Sequence, residues 1–339
     1  MKSLKLLCAL TLSAALLIFP ETALNAAREA MYVWYASVAP ALFPFMALMP
    51  MLTCEAGAKA WERLLGGFMR PIFNLPGAAA PAVVAGMIAG SPAGARAAAD
   101  CHGIGRGQRE RIVCCVGGFS PAFLITGVGA AMLGSPTDGR VLLRAQLAAQ
   151  IAMLLITRRT EDGPVIQPEP TTAEAEPVRA AVAGVLSVCG YMMLFNIAAK
   201  VIAALTHSQT AGLTALCLLD VPSAVRAVAG LSINREGKLL AIAALTGFGG
   251  LCIAAQNLSA AKKIGVRPGK YLTARACHAV LNAGFTAVQL FLKRPERQIF
   301  LPPMEISTLA AVFILAPVLI SLKKDLFLNK RKSEKTTGK

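Results

Sequence analysis

The sequence is poor in charged and aromatic side chains, and it lacks the motifs of several enzyme classes. Only 15% of its 339 residues are charged and 6% are aromatic. Nine cysteines occur without a CxxC motif or a cysteine–histidine spacing, so we expect neither a metal site nor a disulfide framework. The three histidines lie far apart, and no GxSxG, HExxH or phosphate-binding loop occurs. We therefore expect no enzyme, no catalytic residue, no metal and no cofactor.

Apolar sequence is what the chain has in abundance. Apolar residues make up 55% of it and the mean hydropathy is +0.59. Stretches of about 18 or more mostly apolar residues, enough to cross a bilayer, recur along the chain. The predicted fold class is all-α, a polytopic membrane helix bundle with the lipid bilayer as its first partner. Spanning helices are predicted near 4–20, 31–53, 112–133, 141–157, 180–204, 242–260, 272–292 and 305–322.

The net charge of +16 does not indicate nucleic-acid binding. Its basic residues cluster in short loops and in the tail, where the positive-inside rule expects them, and no interleaved aromatic residues could stack bases. The first twenty residues fit a signal peptide with a poorly formed cleavage site near Ala26, or a retained first helix. The many later spans favour a first helix that is retained. The protein is therefore predicted to lie in the cell membrane with its N-terminus on the cytoplasmic side.

Two apolar stretches are broken by proline or glycine. Ten helical residues rise only about 15 Å, so neither arm of such a stretch crosses a ~30 Å core alone. Each stretch is therefore a kinked span or a re-entrant hairpin that returns to one side. If both stretches are hairpins, 22 of the 30 counted Lys and Arg residues lie on the cytoplasmic side, and if both are spans, only 18 do. The positive-inside rule favours the higher count, so hairpins are predicted at 78–100 and 209–231. The predicted break residues are Gly90, Pro92, Gly94 and Pro222.

The two halves of the chain resemble each other at an offset of 130. Pro92 aligns with Pro222 and Arg96 with Arg226, and seven of 28 positions are identical across 90–117. An internal duplication is indicated. With three crossings in each half, the second copy is inverted relative to the first, as in many transporters. The predicted divisions are an N-terminal signal-anchor helix (1–30), a first repeat (31–158), a polar linker (159–178), a second repeat (179–293), and a last helix with a basic tail (294–339).

Charged residues inside the hairpins are the first candidates for ligand contact. Arg96 and Arg226 are costly at membrane depth unless they are paired or hydrated, although each could instead reach the interface. Asp220 is the one carboxylate deep in an apolar run. It either binds a coupling proton or cation, or pairs with Arg226.

Polar residues in the glycine-bearing elements that follow each hairpin are the second candidates. Ser120 lies in the segment 117–127, and Gln256 and Asn257 end the segment 247–257. They suit a polar solute such as a nucleoside or a sugar, or they hydrogen-bond between helices. Residues 55–70 are predicted to form an amphipathic interfacial helix that faces lipid with Trp61, Leu64, Leu65 and Phe68.

Several of these motifs resemble those of the sporulation integral membrane protein YlbJ family. The similar stretches are "GMIAGSPAGAR", "RERIVCCVGGFSPAFLITG" and "GFGGLCIAAQN". The resemblance implies paired Gate (nucleoside recognition) domains, related to those of concentrative nucleoside transporters. It also implies a multi-pass protein of a spore-forming bacterium that is needed for spore cortex formation. Asp220 stands where such relatives have Glu.

The resemblance leaves three functions open. They are transport of a small solute across a forespore membrane, nucleoside transport unrelated to sporulation, and a non-transporting membrane scaffold. The candidate partners are the bilayer, a small polar solute such as a nucleoside, a coupling ion and a second copy of the chain.

Overall fold

The computed structural model describes residue 10 and residues 13–159 and 176–292, and the regular elements in these ranges are helices. The first half contains α1 (Pro20–Val33), α2 (Ala39–Thr53), α3 (Glu55–Phe73), α4 (Ala80–Ile88), α5 (Ala93–Asp100), α6 (Arg106–Val116) and α7 (Pro136–Ile156). The second half contains α8 (Pro177–Thr206), α9 (Gln209–Leu219), α10 (Val221–Ala229), α11 (Arg235–Phe248), α12 (Gly250–Ala260) and α13 (Pro268–Leu292). Two π-helices occur at Trp34–Val38 and Phe123–Met132, and short 3₁₀ turns at Gly77–Ala79 and Lys262–Ile264.

Four helical segments in the described ranges are long and apolar enough to cross a membrane. They are Pro20–Thr53, α7, α8 and Arg235–Ala260. A fifth candidate, α3 with the segment Gly77–Ile88, is bent by 94°. Large apolar side chains on α8 face outward, and Leu186 is 56% exposed, as lipid-facing side chains are. The chain is therefore a multi-pass membrane protein built of helices, as predicted.

Two of the predicted spans differ in detail and others lie outside the described residues. The span near 112–133 is interrupted, because α6 ends at Val116 and helical structure resumes only at Pro121. The span near 272–292 is present as α13. Its polar residues lower its hydropathy, so it is not among the four segments that are apolar enough to cross a membrane. The predicted span at 305–322 and most of that at 4–20 lie outside the described part of the chain.

Both predicted hairpins are pairs of short helices. In the first, α4 ends at a turn where Gly90 has φ +81°, a conformation that favours glycine, and α5 starts after Pro92. In the second, α9 and α10 meet at Asp220, which is extended, with Pro222 in the first turn of α10. These short arms leave main-chain groups free of helical bonds in the middle of each hairpin.

The hairpins start from different ends of the bundle. At what we call the first end, the Cys101 thiol donates to the Ala78 carbonyl (2.9 Å) and closes the first hairpin at its base. The Arg106 side chain there donates to the Ile264 carbonyl (3.0 Å). At the second end, Lys238 donates to the Ala229 carbonyl at the base of the second hairpin (2.7 Å). The helix α7 runs from the second end, where its Asp138 pairs with Arg235, to the first end, where the Arg111 side chain donates to the hydroxyl of Thr157 just after α7 (3.1 Å).

The helix α3 corrects one prediction. Leu65 is 7% exposed and belongs to the largest core cluster, together with Met69 and Phe73. Trp61 and Phe68 are partly buried against the same cluster. The apolar face of this helix therefore packs on the protein rather than facing lipid. Amphipathic sequence marks a buried stripe but does not say whether protein or lipid covers it.

Candidate functional site

The breaks of four elements meet at one cavity in the middle of the bundle. Its walls contain Ser91 from the first hairpin, Asp220 from the second, and residues from the interrupted segments 117–123 and 249–256. The rest of the wall is mainly apolar, from α2 and α8 among others. Few polar groups in a mostly apolar concave surface are what small-molecule sites in proteins have in common. This cavity is the candidate site.

Three of the four breaks present the start of a helix to the cavity. Val221 and Pro222 begin α10, and Gly249 precedes α12. Ser120 caps the other interrupted segment, because its hydroxyl accepts a hydrogen bond from the Phe123 N–H (3.2 Å). Helix starts carry a partial positive charge and unpaired N–H groups, so these ends favour electron-rich atoms in the cavity.

Asp220 supplies the one carboxylate of the cavity wall within the described residues. It is 3% exposed and faces Ser223, whose hydroxyl donates to the Asn196 side chain (3.4 Å). A carboxylate buried to this degree must be hydrogen-bonded, paired or protonated. In its ionised form, Asp220 is the strongest hydrogen-bond acceptor that a solute in the cavity would meet.

The two hairpin arginines lie outside the cavity wall. Arg96 donates to the Ala180 carbonyl (3.3 Å), at the start of α8. Arg226 is half-exposed and pairs with Glu29 (3.2 Å), which also pairs with Lys200 (3.3 Å). The predicted alternative in which Arg226 pairs with Asp220 is therefore not what the structure contains.

Of the two amides, one reaches the cavity and the other lies behind it. Gln256 lines the cavity and donates to the Cys252 sulfur (3.2 Å). Asn257 is fully buried and donates to the Ser91 hydroxyl (2.9 Å) and to the Tyr271 hydroxyl (2.6 Å). Asn257 therefore holds the break of the first hairpin against α12 and α13. The structure thus brings Ser120, Asp220 and Gln256 together, with Asn257 beside them.

Sequence reasoning missed the polar residues that support the breaks. Gln146 on α7 accepts from the Phe119 N–H (3.0 Å) and donates to the Phe119 carbonyl (2.8 Å). On α13, Asn282 donates to the Ala243 carbonyl (2.8 Å), and Arg275 donates to the carbonyls of Gly117 and Gly247. A signal was present, since Arg275 is a charged residue in a predicted span and such residues are costly.

The cavity is small in this state. Its volume is about 60 Å³, which is room for a few water molecules or for one functional group of a solute. Drug-sized ligands occupy pockets of roughly 300–1,000 Å³. A whole sugar or nucleoside therefore requires the walls to move apart.

The chain matches known proteins over part of its length. Residues 35–136 match the family model for nucleoside recognition, named Gate. A stretch of 152 residues is 29% identical to the sporulation integral membrane protein YlbJ of Bacillus subtilis (strain 168). This match covers 44% of the chain and 37% of that relative.

A solved structure, that of CNTnw in an inward-facing substrate-bound state, is similar with a TM-score of 0.49 at 15% identity, covering 85% of this chain and 84% of that one. The Gate match and the YlbJ identity together support the YlbJ-family resemblance of the motifs, and the chain is an integral membrane protein whose first half contains the stretch that matches Gate.

Proposed function

We propose that this chain is a multi-pass membrane protein of the YlbJ type, required for spore cortex formation, which moves a small polar solute through the central cavity. The observation that carries this proposal is the buried carboxylate of Asp220 in a cavity where four broken elements meet. A charged group in a bilayer-spanning bundle is costly, and such groups mark solute or ion pathways. The proposal includes no catalytic step.

The cavity wall suits a solute with hydroxyl groups and a flat apolar part. The Asp220 carboxylate can accept hydrogen bonds from sugar hydroxyls, and Ser120 and Gln256 can both donate and accept. Phe119 and Phe123 stand at the wall with ring centroids 4.9 Å apart, and offer apolar faces to a base or sugar ring. A nucleoside has both parts, which agrees with the name of the matching family model.

Solute movement would follow from an inverted duplication. The two hairpins start from different ends of the bundle, and their breaks line the same cavity. In inverted-repeat transporters, alternating access is a rocking of one repeat against the other around a fixed site. Opening the first hairpin would then admit solute from one side of the membrane, and opening the second from the other.

The first end is proposed to be cytoplasmic. Its described loops and helix ends carry many basic residues, among them Lys262, Lys263 and Arg267, whereas the second end carries fewer. Basic residues in short loops lie on the cytoplasmic side. The long segment Pro20–Thr53 ends at this side, because the Thr53 carbonyl accepts from the His102 N–H (3.0 Å). The predicted cytoplasmic N-terminus depends on residues outside the described part of the chain.

A labelling experiment tests the orientation. Lys263→Cys and Ile233→Cys place thiols at exposed positions of the first and second ends. A membrane-impermeant maleimide applied to intact cells should modify the cysteine at 233 and not that at 263. Both variants are made in a chain whose native cysteines are replaced by alanine, because Cys277 is exposed and Cys54 and Cys217 are partly exposed. Modification of both positions, or of 263 alone, would contradict the orientation.

Solute binding is tested by thermal unfolding of the purified protein with nucleosides, sugars and other small metabolites. A ligand of the native state should raise the melting temperature, and Asp220→Asn should remove that rise. Asp100→Asn is the matched control, because Asp100 lies at the first end near Lys263 rather than in the cavity. If no solute shifts unfolding, or if Asp220→Asn retains the shift, the cavity is not the binding site.

A second candidate is nucleoside transport without a role in sporulation, which the nucleoside-recognition match favours. A deletion strain complemented with the wild type or with Asp220→Asn separates the two. Cortex formation should return with the wild type only. A deletion strain that forms normal cortex would leave the second candidate.

A further inference from the structure

The ends of two half-helices meet at one buried arginine. Arg275 on α13 is 1% exposed. Its Nη1 donates to the Gly117 carbonyl just after α6, and its Nη2 to the Gly247 carbonyl near the end of α11. Its Nε donates to the Phe248 carbonyl (3.2 Å). One guanidinium therefore joins the breaks of the two halves of the chain.

The charge of Arg275 is balanced by main-chain carbonyls. No carboxylate forms an ion pair with it among the residues that the structure describes. The last carbonyls of a helix lack helical partners and carry a partial negative charge. Two such ends, from α6 and α11, face the same guanidinium. A point of negative potential inside the membrane is thus occupied by a positive charge that belongs to the chain.

The other carbonyls at these breaks also have side-chain donors. Gln150 donates to the Val116 carbonyl (3.0 Å) and Gln146 to the Phe119 carbonyl (2.8 Å). In the second half, the Arg275 Nη2 also donates to the Thr246 carbonyl in the last turn of α11 (3.4 Å). In transporters with broken helices, unwound carbonyls and half-helix ends coordinate sodium or protons. Here those acceptors are taken by N–H groups of α7 and α13.

We infer that Arg275 is a resident cation, which holds the two breaks together in place of a bound metal cation. Arg275 is a positioning residue, because it touches the carbonyls behind the cavity and not the cavity itself. Two consequences follow. The folded protein is not stabilised by sodium over other monovalent cations. Solute binding in the cavity, a consequence that rests on the proposed function, does not depend on sodium.

Thermal unfolding of the full-length protein in detergent tests the first consequence without any solute. The wild type should melt at the same temperature in sodium, potassium and choline chloride of equal ionic strength. Arg275→Ala should melt lower by roughly 5 °C or more, because it leaves several buried carbonyls unpaired. Millimolar guanidinium should return part of this loss by filling the vacated site, whereas tetramethylammonium, which has no N–H donor, should not.

Arg96→Ala is the matched control, since Arg96 is an arginine on the first hairpin that donates to the single carbonyl of Ala180. Its melting temperature should not respond to guanidinium. Stabilisation by sodium over choline that persists in Asp220→Asn, which lacks the cavity carboxylate, would overturn the inference, and so would an Arg275→Ala protein that melts like the wild type or gains nothing from guanidinium.

Arg275→Lys decides the matter if Arg275→Ala cannot be purified. Lysine keeps the charge but cannot reach three separated carbonyls in a fixed plane. Arg275→Lys should melt at a lower temperature than the wild type, with no preference for sodium, and a melting temperature equal to that of the wild type would overturn the inference. If no tested compound raises the melting temperature, the proposed function is refuted, and the result on Arg275 and sodium is unaffected.

Discussion

The two hairpins have the same spacing of proline and arginine, but their surroundings differ. The break of the first hairpin is uncharged, and Ser91 there is held by Asn257 of the other half. The break of the second hairpin contains Asp220. At the offset of 130, Asp220 corresponds to Gly90, whose φ of +81° would strain an aspartate. The first hairpin is thus held against the protein by neutral contacts, and the second brings the charge to the cavity.

The paired arginines differ for the same reason. Arg96 lies against the start of α8 and donates to a main-chain carbonyl, whereas Arg226 is half-exposed and pairs with Glu29. Equal spacing fixes only where each arginine lies along its helix. The elements packed around the helix decide what it contacts, so residues that align between the two halves need not share a function.

The largest expected effect is the loss of the charged residue at the second break, compared with the loss of a neutral residue at the first. Asp220→Asn should abolish the solute-dependent rise in melting temperature and the complementation of cortex formation, because the amide cannot accept as strongly as a carboxylate. Ser91→Ala at the other break should retain most of the rise, since it removes one neutral hydroxyl. Equal losses in both variants would show that the carboxylate is not what distinguishes the second hairpin.

Gly90→Ala should strongly destabilise the first break. A Cβ at this position would lie 2.7 Å from the Gly118 carbonyl oxygen, and the positive φ adds strain. Together they should cost at least about 2 kcal/mol of unfolding free energy. Gly284→Ala on α13, where a Cβ meets nothing within 4 Å, is the control and should be neutral or slightly stabilising. Thermal and denaturant unfolding measure both, and equal stability of the two variants would contradict this account.

Gln146→Leu should weaken the first interrupted segment by about 2–3 kcal/mol, because the Phe119 N–H and carbonyl would both lose their buried partner. Gln289→Leu on α13 is a matched change, because Gln289 donates to the Val141 carbonyl (3.2 Å) within a regular helix. It should cost less than about 1 kcal/mol. The prediction fails if the two leucine variants unfold alike.

The smallest expected effect concerns the exposed arginine. Arg226→Ala should change the unfolding free energy by less than about 1 kcal/mol, since its partner Glu29 also pairs with Lys200 and the Arg226 side chain is half in solvent or lipid headgroups. A double-mutant cycle should give a coupling of about 0.2–1 kcal/mol between Arg226 and Glu29, and none between Arg226 and Asp220. Coupling to Asp220 instead would restore the pairing that the sequence alone allowed.

Much of the fold could be read from local features. Apolar length indicates spans, and a proline with a glycine in mid-span indicates a break, because both residues act on the backbone that contains them. The hairpins α4–α5 and α9–α10 were predicted from such features, and Ser120, Asp220 and Gln256 were singled out because polar groups are rare in apolar segments.

The sequence by itself determined that the chain is helical and membrane-spanning, where its helices break, and which polar residues lie at the breaks. Only the tertiary structure decided which of these meet, because a contact between residues far apart in sequence depends on how helices pack. It brought Asp220 and Ser120 to one cavity and left Arg96 and Arg226 outside. It also placed Arg275 between two carbonyls that are 130 residues apart in the chain. No local pattern carries that information, since the guanidinium and its acceptors come together only when α13 packs against both α6 and α11.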